Sequence, residues 1–100
     1  MVEYEDNDSL SLFRVVAELI TYKIIRSTMY SAKTVLQISA ENEIPLSSTY
    51  KKIKGLCKSG ILSIERVSID DGKKVFYYRC RIRAIEARLN EKGLAVHVKR

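Results

Sequence analysis

The sequence predicts an α+β domain in which helices come first and β-hairpins follow. In the first part of the chain, apolar side chains recur every three or four positions, which is the spacing of amphipathic helices. After Gly60 the spacing changes to an alternation rich in aromatic and β-branched residues, which indicates strands. A single proline, Pro45, interrupts the helical part. The 100 residues suffice for one domain with a small core.

Composition excludes several classes of protein. Hydrophobic residues make up 46% and charged residues 30% of the chain, as in soluble globular proteins. The longest apolar stretch, residues 10–25, is interrupted by Arg14, Glu18 and Lys23 and therefore does not predict a membrane span. The acidic N-terminus is unlike a signal peptide. We expect a cytoplasmic protein without a membrane partner.

Charge is unevenly distributed along the chain. Residues 1–8 contain four acidic and no basic side chains, and we expect this segment to be disordered and to precede a single domain over residues 9–100. From Lys51 onward there are 14 basic and 5 acidic residues. Such an excess of positive charge predicts an anionic partner, most often nucleic acid; a well-solvated basic surface is the simpler alternative.

The first helical segment is expected to begin after Ser9 or Ser11, either of which is a good N-cap residue. Its apolar stripe is broader than one helix needs to cover a small core. Either the segment is simply the central core helix, or part of the stripe contacts a second subunit. A break near Thr21 would divide it into two helices. The stripe consists of Phe13, Val16, Ala17, Ile20 and Ile24, widened by Leu12, Leu19 and Ile25.

Two shorter helices are predicted on either side of Pro45. Thr34 followed by Gln37 fits a capping box at the start of the first of them, which extends to Asn42. This helix ends by Ile44, because a residue before proline is pushed out of helical geometry.

The second of these helices is predicted over residues 48–58, with Ser47 as its N-cap and Gly60 as its stop. Its spacing divides it into an inner and an outer face. The residues expected to pack inward are Thr49, Ile53 and Leu56. The outer face carries Tyr50, Lys51, Lys54 and Lys58, with Ser47, Ser48 and Lys52 near its start and flank.

A β-hairpin is predicted after Gly60. Its turn is expected over residues 70–73, where Gly72 is free to adopt a positive φ. The arm before the turn carries Leu62, Ile64, Val67 and Ile69 around charged residues. In the arm after the turn, Phe76, Tyr78, Cys80 and Ile82 alternate with Tyr77, Arg79, Arg81 and Arg83.

The last segment fits two structures. Ile82, Ile85 and Leu89 have a spacing that allows a helix, whereas alternation on either side of the turn-forming residues 90–93 fits a second hairpin. Residues 94–99 are too short for a further helix and fit only a strand, which needs a partner. We therefore predict the hairpin.

The reactive residues form no recognisable catalytic or metal-binding pattern. Cys57 and Cys80 stand 23 positions apart without a CxxC motif, and His97 is the only histidine. We expect reduced, buried cysteines rather than a zinc site, with a disulfide or a metal shared between subunits as the alternative. The sequence has no glycine-rich phosphate loop and no nucleophile in a recognisable setting, so we expect neither an enzyme nor a cofactor.

Two helices around a tight turn, followed by a hairpin, predict a helix-turn-helix with a wing. The N-terminus of the second helix and its serine hydroxyls suit phosphate oxygens. Tyr50 and Lys51, on the exposed first turns, are best placed to reach base edges in the major groove of DNA.

Residues 13–82 resemble the winged helix-turn-helix regulators of the ArsR-like class, particularly its short archaeal members. The resemblance is carried by FRVVAELITYKIIR (13–26), TVLQIS (34–39), IPLSSTYKKIKGL (44–56), GIL (60–62) and DGKKVFYYR (71–79). The cysteine pair that the metal-sensing members carry in their DNA-binding helices is missing here. The resemblance therefore implies neither metal sensing nor a particular effector.

The resemblance implies a transcriptional regulator that binds double-stranded DNA sequence-specifically as a homodimer, paired through the first helix and the C-terminal hairpin. Residues 48–58 would lie in the major groove, and wing residues 70–74 on the flanking backbone or in the minor groove. The alternative is a winged-helix module that contacts protein or RNA without specific DNA binding. The DNA-contact candidates are Thr34, Ser47, Ser48, Tyr50, Lys51, Lys52, Lys54, Lys73 and Lys74.

Overall fold

Four helices precede two β-hairpins in this fold, and one short strand lies at the N-terminus. A computed structural model describes residues 2–4 and 6–100, with side chains from residue 8 onward. The elements are β1 (Val2–Tyr4), α1 (Asp6–Ala17), α2 (Leu19–Thr28), α3 (Val35–Asn42), α4 (Leu46–Lys58), β2 (Leu62–Asp70), β3 (Lys73–Cys80), β4 (Ala84–Asn90) and β5 (Gly93–Lys99). The predicted α+β, winged helix-turn-helix layout is thereby confirmed. No helix in the described ranges is long and apolar enough to cross a membrane.

The first helical segment is divided in two at Glu18, rather than near Thr21. Glu18 has extended backbone geometry, and its carboxylate accepts hydrogen bonds from the N–H groups of Ile20 (3.1 Å) and Thr21 (2.9 Å). It thus caps α2. Ser9 and Ser11 lie inside α1, so the prediction that either caps this segment is wrong. A glutamate as the N-cap of α2 is not what sequence preferences predict, because shorter polar side chains usually fill this position.

The capping box of α3 is confirmed. Thr34 Oγ1 accepts a hydrogen bond from the N–H of Gln37 (3.1 Å), and Gln37 Oε1 accepts one from the N–H of Thr34 (2.9 Å). The helix ends at Asn42, followed by Glu43 in the left-handed region (φ 53°). These short-range bonds set the entry and exit of the helix that precedes the turn at Pro45.

Helix α4 begins earlier than predicted, and Ser47 is not its N-cap. Pro45 occupies that position without a side-chain capping bond, and its carbonyl accepts from both the N–H and the hydroxyl of Thr49 at 3.0 Å. Ser47 therefore lies in the first helical turn. At the other end, Gly60 has a φ of 82°, and the N–H of Ile61 bonds the carbonyl of Leu56 (3.0 Å). This is the predicted glycine stop, closed as a Schellman motif.

Both predicted hairpins are present, and they belong to separate sheets. Strands β2 and β3 pair antiparallel around Asp71 and Gly72, whose φ values of 53° and 76° suit a tight hairpin turn. Strands β4 and β5 pair around residues 91–92, which decides against a helix in the C-terminal segment. The order of the second sheet is β1-β5-β4.

The N-terminal segment differs from the prediction of disorder over residues 1–8. Val2–Tyr4 forms strand β1 in antiparallel register with Val96–Val98 of β5, and α1 begins at Asp6. The free edge of β5 offers backbone partners that this segment takes up. Met1 and Glu5 lie outside the described residues.

The core lies between α2, α3, α4 and the bases of the two hairpins. The predicted inward face of α4 is confirmed, because Thr49, Ile53 and Leu56 are all buried. Only part of the predicted stripe in the first helices is covered, since Phe13 and Leu19 stay exposed. The buried apolar residues are Ile24, Ile25, Val35, Ile38, Ile44, Ile53, Leu56, Ile61, Leu62, Cys80, Ile82, Val96 and Val98.

Candidate nucleic-acid interface

The outer face of α4 presents an aromatic ring and a set of unpaired lysines. Tyr50 is 55% exposed, and Lys51, Lys54 and Lys58 are exposed on the same helix. Within the described part of the chain, none of these lysines forms an ion pair or a side-chain hydrogen bond. Their ammonium groups are therefore available to an anionic partner.

The N-terminus of α4 is also available to an anionic partner. Pro45 supplies no side-chain cap, so the first N–H groups of the helix are not satisfied by a capping side chain. Ser47 is exposed and Ser48 half-buried in this first turn. Free N–H groups, a helix dipole and hydroxyls together favour a phosphate oxygen at this position.

Lys52 points away from the other lysines of α4. Its Nζ lies 3.4 Å from Oε2 of Glu18, the residue that caps α2, and both side chains are partly covered. Lys52 therefore faces the junction of α1 and α2. Its grouping with the contact candidates near the flank of the helix finds no support in this geometry.

Thr34 has a structural role at the start of α3. Its hydroxyl oxygen accepts the capping bond from Gln37, and the side chain is half-buried. A contact with phosphate from this position would have to share that hydroxyl with the cap.

The tip of the wing carries Lys73 and Lys74 together with two acidic residues. All four side chains around the turn are exposed, and Asp70 and Asp71 balance the charge of the two lysines. Lys73 pairs across the hairpin with Asp70, and Lys74 with Ile69. The lysines therefore lie on opposite faces of the hairpin, and the net side-chain charge of the tip is zero.

A groove of about 650 Å³ separates α4 from the base of the wing. Tyr50, Lys54 and Cys57 line one wall, and Ile64 and Tyr78 line the other. Burial raises the pKa of Tyr78, and Cys57 and Tyr50 add to that shift. Lysines and aromatic rings thus face each other across the groove.

The wing face that continues from this groove is apolar, which was not anticipated from the sequence. Cross-strand pairs place Val67 beside Phe76 and Ile69 beside Lys74, in line with Ile64 and Tyr78. Ile64, Val67, Ile69 and Phe76 remain exposed, Ile69 by 67%. The irregular spacing from Ile64 to Val67 is the signal that could have revealed this face.

The two cysteines are not bonded to each other, and of the two that were predicted to be buried only Cys80 is fully so. Cys57 is half-buried and Cys80 buried, and burial raises the pKa of both thiols. Reactive cysteines usually have a lowered pKa, so the shift of both thiols is opposite to the one that activation requires. Among the described residues no group of three or more potential ligands could hold a metal ion.

Neither models of known protein families nor curated proteins match the chain. Its function is therefore inferred from the arrangement of its own residues.

Proposed function

We propose that the protein binds double-stranded DNA sequence-specifically as a homodimeric transcriptional regulator of the ArsR-like, short archaeal type. The observation that carries this proposal is the outer face of α4, where Tyr50, Lys51 and Lys54 are exposed and neither lysine forms an ion pair or side-chain hydrogen bond with a described residue. In a helix-turn-helix, the second helix enters the major groove with its first turns at the base edges. Tyr50 and Lys51 occupy those turns here.

Phosphate contacts would come from around this face. The uncapped start of α4 would receive one phosphate, with Ser47 and Ser48 beside it, and Lys54 and Lys58 would flank the groove. On the wing, Lys73 and Lys74 would reach the backbone or the minor groove. Asp70 and Asp71 weaken the attraction of the tip for phosphate.

Dimer formation is supported by apolar surface that remains open on the first helices. Leu10 and Phe13 of α1 are exposed, and Leu19 at the start of α2 is 64% exposed. Part of α1 packs against β5 of the same chain. A second subunit would therefore use the outer surface of α1 and the face of the C-terminal hairpin that carries the exposed Leu89. It would not use the opposite face, which carries Arg88, or the turn at Lys92.

The experiment is selection of bound duplexes from a random pool, followed by affinity measurements on the enriched sequence. Y50A and K51A should weaken binding by about 1–3 kcal/mol each and relax the preference at individual base pairs. K92Q, in the exposed turn of the C-terminal hairpin, serves as a control for loss of positive charge. A winner with two-fold symmetry and half-sites about one helical turn apart would support the dimer. A pool without enrichment would refute specific DNA binding.

A second candidate function is a winged-helix module that contacts a protein or RNA. The exposed apolar wing face of Ile64, Val67 and Phe76 favours it, because apolar surface does not attract phosphate. I69D and V67D on this face should leave duplex affinity unchanged under the DNA hypothesis. If these changes abolished a partner contact while Y50A and K51A had no effect on any binding, the second function would be preferred.

A further inference from the structure

A second basic site lies away from α4, in a cleft of about 610 Å³ between the end of α2 and the segment that joins the two hairpins. We call it the arginine cleft, because four guanidinium groups line it, those of Arg79, Arg81, Arg83 and Arg100. Among the residues whose side chains are described, Glu65 is the one acidic residue of the lining. The side chains of the cleft therefore carry a net charge of +3, half of the formal +6 of the whole chain.

Backbone pairing brings these arginines together. Strand alternation continues past the end of β3, so that Cys80 and Ile82 are buried while the arginines on either side point outward. Alternate residues of an extended chain are roughly 6.5 Å apart. Two backbone bonds hold the segment, from Arg81 N–H to the Ile61 carbonyl (2.8 Å) and from Arg83 N–H to the Lys99 carbonyl (2.7 Å).

The backbone bond between Arg83 and Lys99 also explains why the fourth guanidinium group, that of Arg100, lies in the cleft. Arg100 follows Lys99 directly, and so its backbone lies beside Arg83 although the two are far apart in sequence. Its Nη1 donates a long bond of 3.5 Å to the carbonyl of Gly60. Arg100 thereby closes one side of the arginine cleft.

Two of the four guanidinium groups have no acceptor among the residues whose side chains are described. Arg79 donates to Glu65 (3.1 Å) and to the carbonyl of Met29 (3.5 Å). Arg81 and Arg83 form no ion pair or side-chain hydrogen bond with any residue that the structure describes. Like charges held together in this way repel each other unless an anion lies between them.

The arginine cleft opens on the opposite face of β3 from the groove beside α4. Tyr78 lines the groove and Arg79 lines the cleft. Because successive residues of a strand point to opposite faces, the two sites are separated by the sheet itself. The cleft is therefore distinct from the recognition surface of α4.

We propose that the arginine cleft binds phosphate groups, carried either by a small polyphosphate ligand or by a nucleic-acid backbone. A guanidinium donates two parallel bonds to a phosphate, and several arginines in one cleft match a ligand with several charges. A polyphosphate chain and a nucleic-acid backbone both carry several phosphate charges close together, whereas a single carboxylate carries one. This site is independent of the function proposed for α4.

The test compares two matched double variants of the full chain. R81Q/R83Q removes two positive charges from the cleft. R88Q/K92Q removes two from exposed positions of the C-terminal hairpin that do not line it. Binding of sodium tripolyphosphate is measured by isothermal titration calorimetry at constant ionic strength. Circular dichroism checks the fold, which should persist because the bonds of Arg81 and Arg83 to the protein are made by their backbones.

The wild type and R88Q/K92Q should bind tripolyphosphate with similar affinity, and R81Q/R83Q should bind at least about tenfold more weakly, since each lost bond to a charged group is worth that factor. R81K/R83K keeps the charge but loses the paired donors, and should fall between these limits. If R81Q/R83Q does not fold, R81K/R83K tests the proposal instead: it should bind tripolyphosphate more weakly than R88Q/K92Q does, and equal affinities would overturn the proposal.

A second arm identifies the source of the phosphate. Duplex and single-stranded DNA are titrated with both double variants. Weaker binding and a shallower salt dependence for R81Q/R83Q alone would identify the nucleic-acid backbone; an effect limited to tripolyphosphate would identify a small ligand. The proposal is overturned if tripolyphosphate affinity is the same for both double variants, or absent altogether, and their DNA affinities are also equal.

Discussion

The unpaired lysines of α4 should account for much of the salt dependence of DNA binding, whereas Lys52 should not. Lys51 and Lys54 are exposed and form no ion pair or side-chain hydrogen bond with any described residue, while the ammonium group of Lys52 lies 3.4 Å from the carboxylate of Glu18. The double variant K51A/K54A therefore removes charges without an acidic protein partner, and the single variant K52A removes a charge that has one.

The expected size of the effect follows from counterion release. Each lysine that neutralises a phosphate contributes about −0.9 to the slope of log affinity against log salt concentration, and Lys51, although directed at base edges, also brings its charge between the phosphates that line the major groove. K51A/K54A should make that slope shallower by about 1.8 for each subunit bound. When the salt concentration rises fourfold, the factor by which affinity falls should be about twelve times smaller for K51A/K54A than for the wild type, for each subunit bound. K52A should change the slope by much less than the value of about 0.9 expected for one phosphate contact.

The assay is fluorescence anisotropy of a labelled duplex, titrated with each protein over a series of salt concentrations. Equal circular dichroism spectra and thermal midpoints would exclude misfolding as the cause of a difference. The placement of the interface on the outer face of α4 is refuted if K52A changes the slope as much as K51A/K54A does. It is also refuted if the double variant keeps the slope of the wild type.

Four further predictions concern stability and reactivity. E18A removes the cap of α2 and should lower the free energy of unfolding by about 0.5–2 kcal/mol in urea titrations; an unchanged value would contradict the capping role. The hydroxyl and N–H of Thr21 lower the pKa of Glu18 from its usual 4.5 to about 2. The stabilisation by Glu18 is therefore present above pH 4.5 and is lost as the pH falls towards 2. The free energies of unfolding of the wild type and E18A should converge at that pH. G60A should destabilise the protein by roughly 1–2 kcal/mol because residue 60 has a φ of +82°. G55A should stabilise α4 by up to about 1 kcal/mol, because no heavy atom lies within 4 Å of the added Cβ. Equal shifts in the thermal midpoint of the two variants would refute both expectations. Burial raises the pKa of the Cys57 thiol, so its reaction with a disulfide reagent at neutral pH should be slower than that of a free cysteine and should accelerate in urea.

Features determined by neighbouring residues were predictable from the sequence. The capping box of Thr34 and Gln37, the stop at Gly60 and the turn at Asp71 and Gly72 all depend on bonds or backbone angles within a few residues. Their residue types are favoured for reasons that a short segment reveals. The start of α4 shows the limit of such preferences. The carbonyl of Pro45 accepts the first helical hydrogen bond, so the helix begins before Ser47, the predicted N-cap.

Features determined by distant residues were not predictable in the same way. Strand β1 exists because the edge of β5 is free, and β5 lies at the other end of the chain. The orientation of Lys52 depends on Glu18, and the position of Arg100 in the arginine cleft depends on a backbone bond of Arg83. Periodicity places each residue on a face of its own element, but it cannot identify what that face meets.

The register shift between Ile64 and Arg66 determines the two faces of the wing. Strict alternation would put these two side chains on the same face. With the extra residue, Arg66 instead pairs with Tyr77, where its guanidinium lies 3.6 Å from the ring centroid. Val67 returns to the face of Ile64. One inserted position thus keeps the charged residues of β2 on the side of the arginine cleft and the apolar ones on the side of α4.

This division has a consequence for how the protein would bind DNA. An apolar wing face cannot attract phosphate, and at the tip the charges of Lys73 and Lys74 are balanced by Asp70 and Asp71. The electrostatic part of the affinity would therefore come mainly from the start and the lysines of α4. For the same reason, K73A should change the salt slope less than K51A does, because the neighbouring Asp70 and Asp71 already offset the attraction of Lys73 for phosphate.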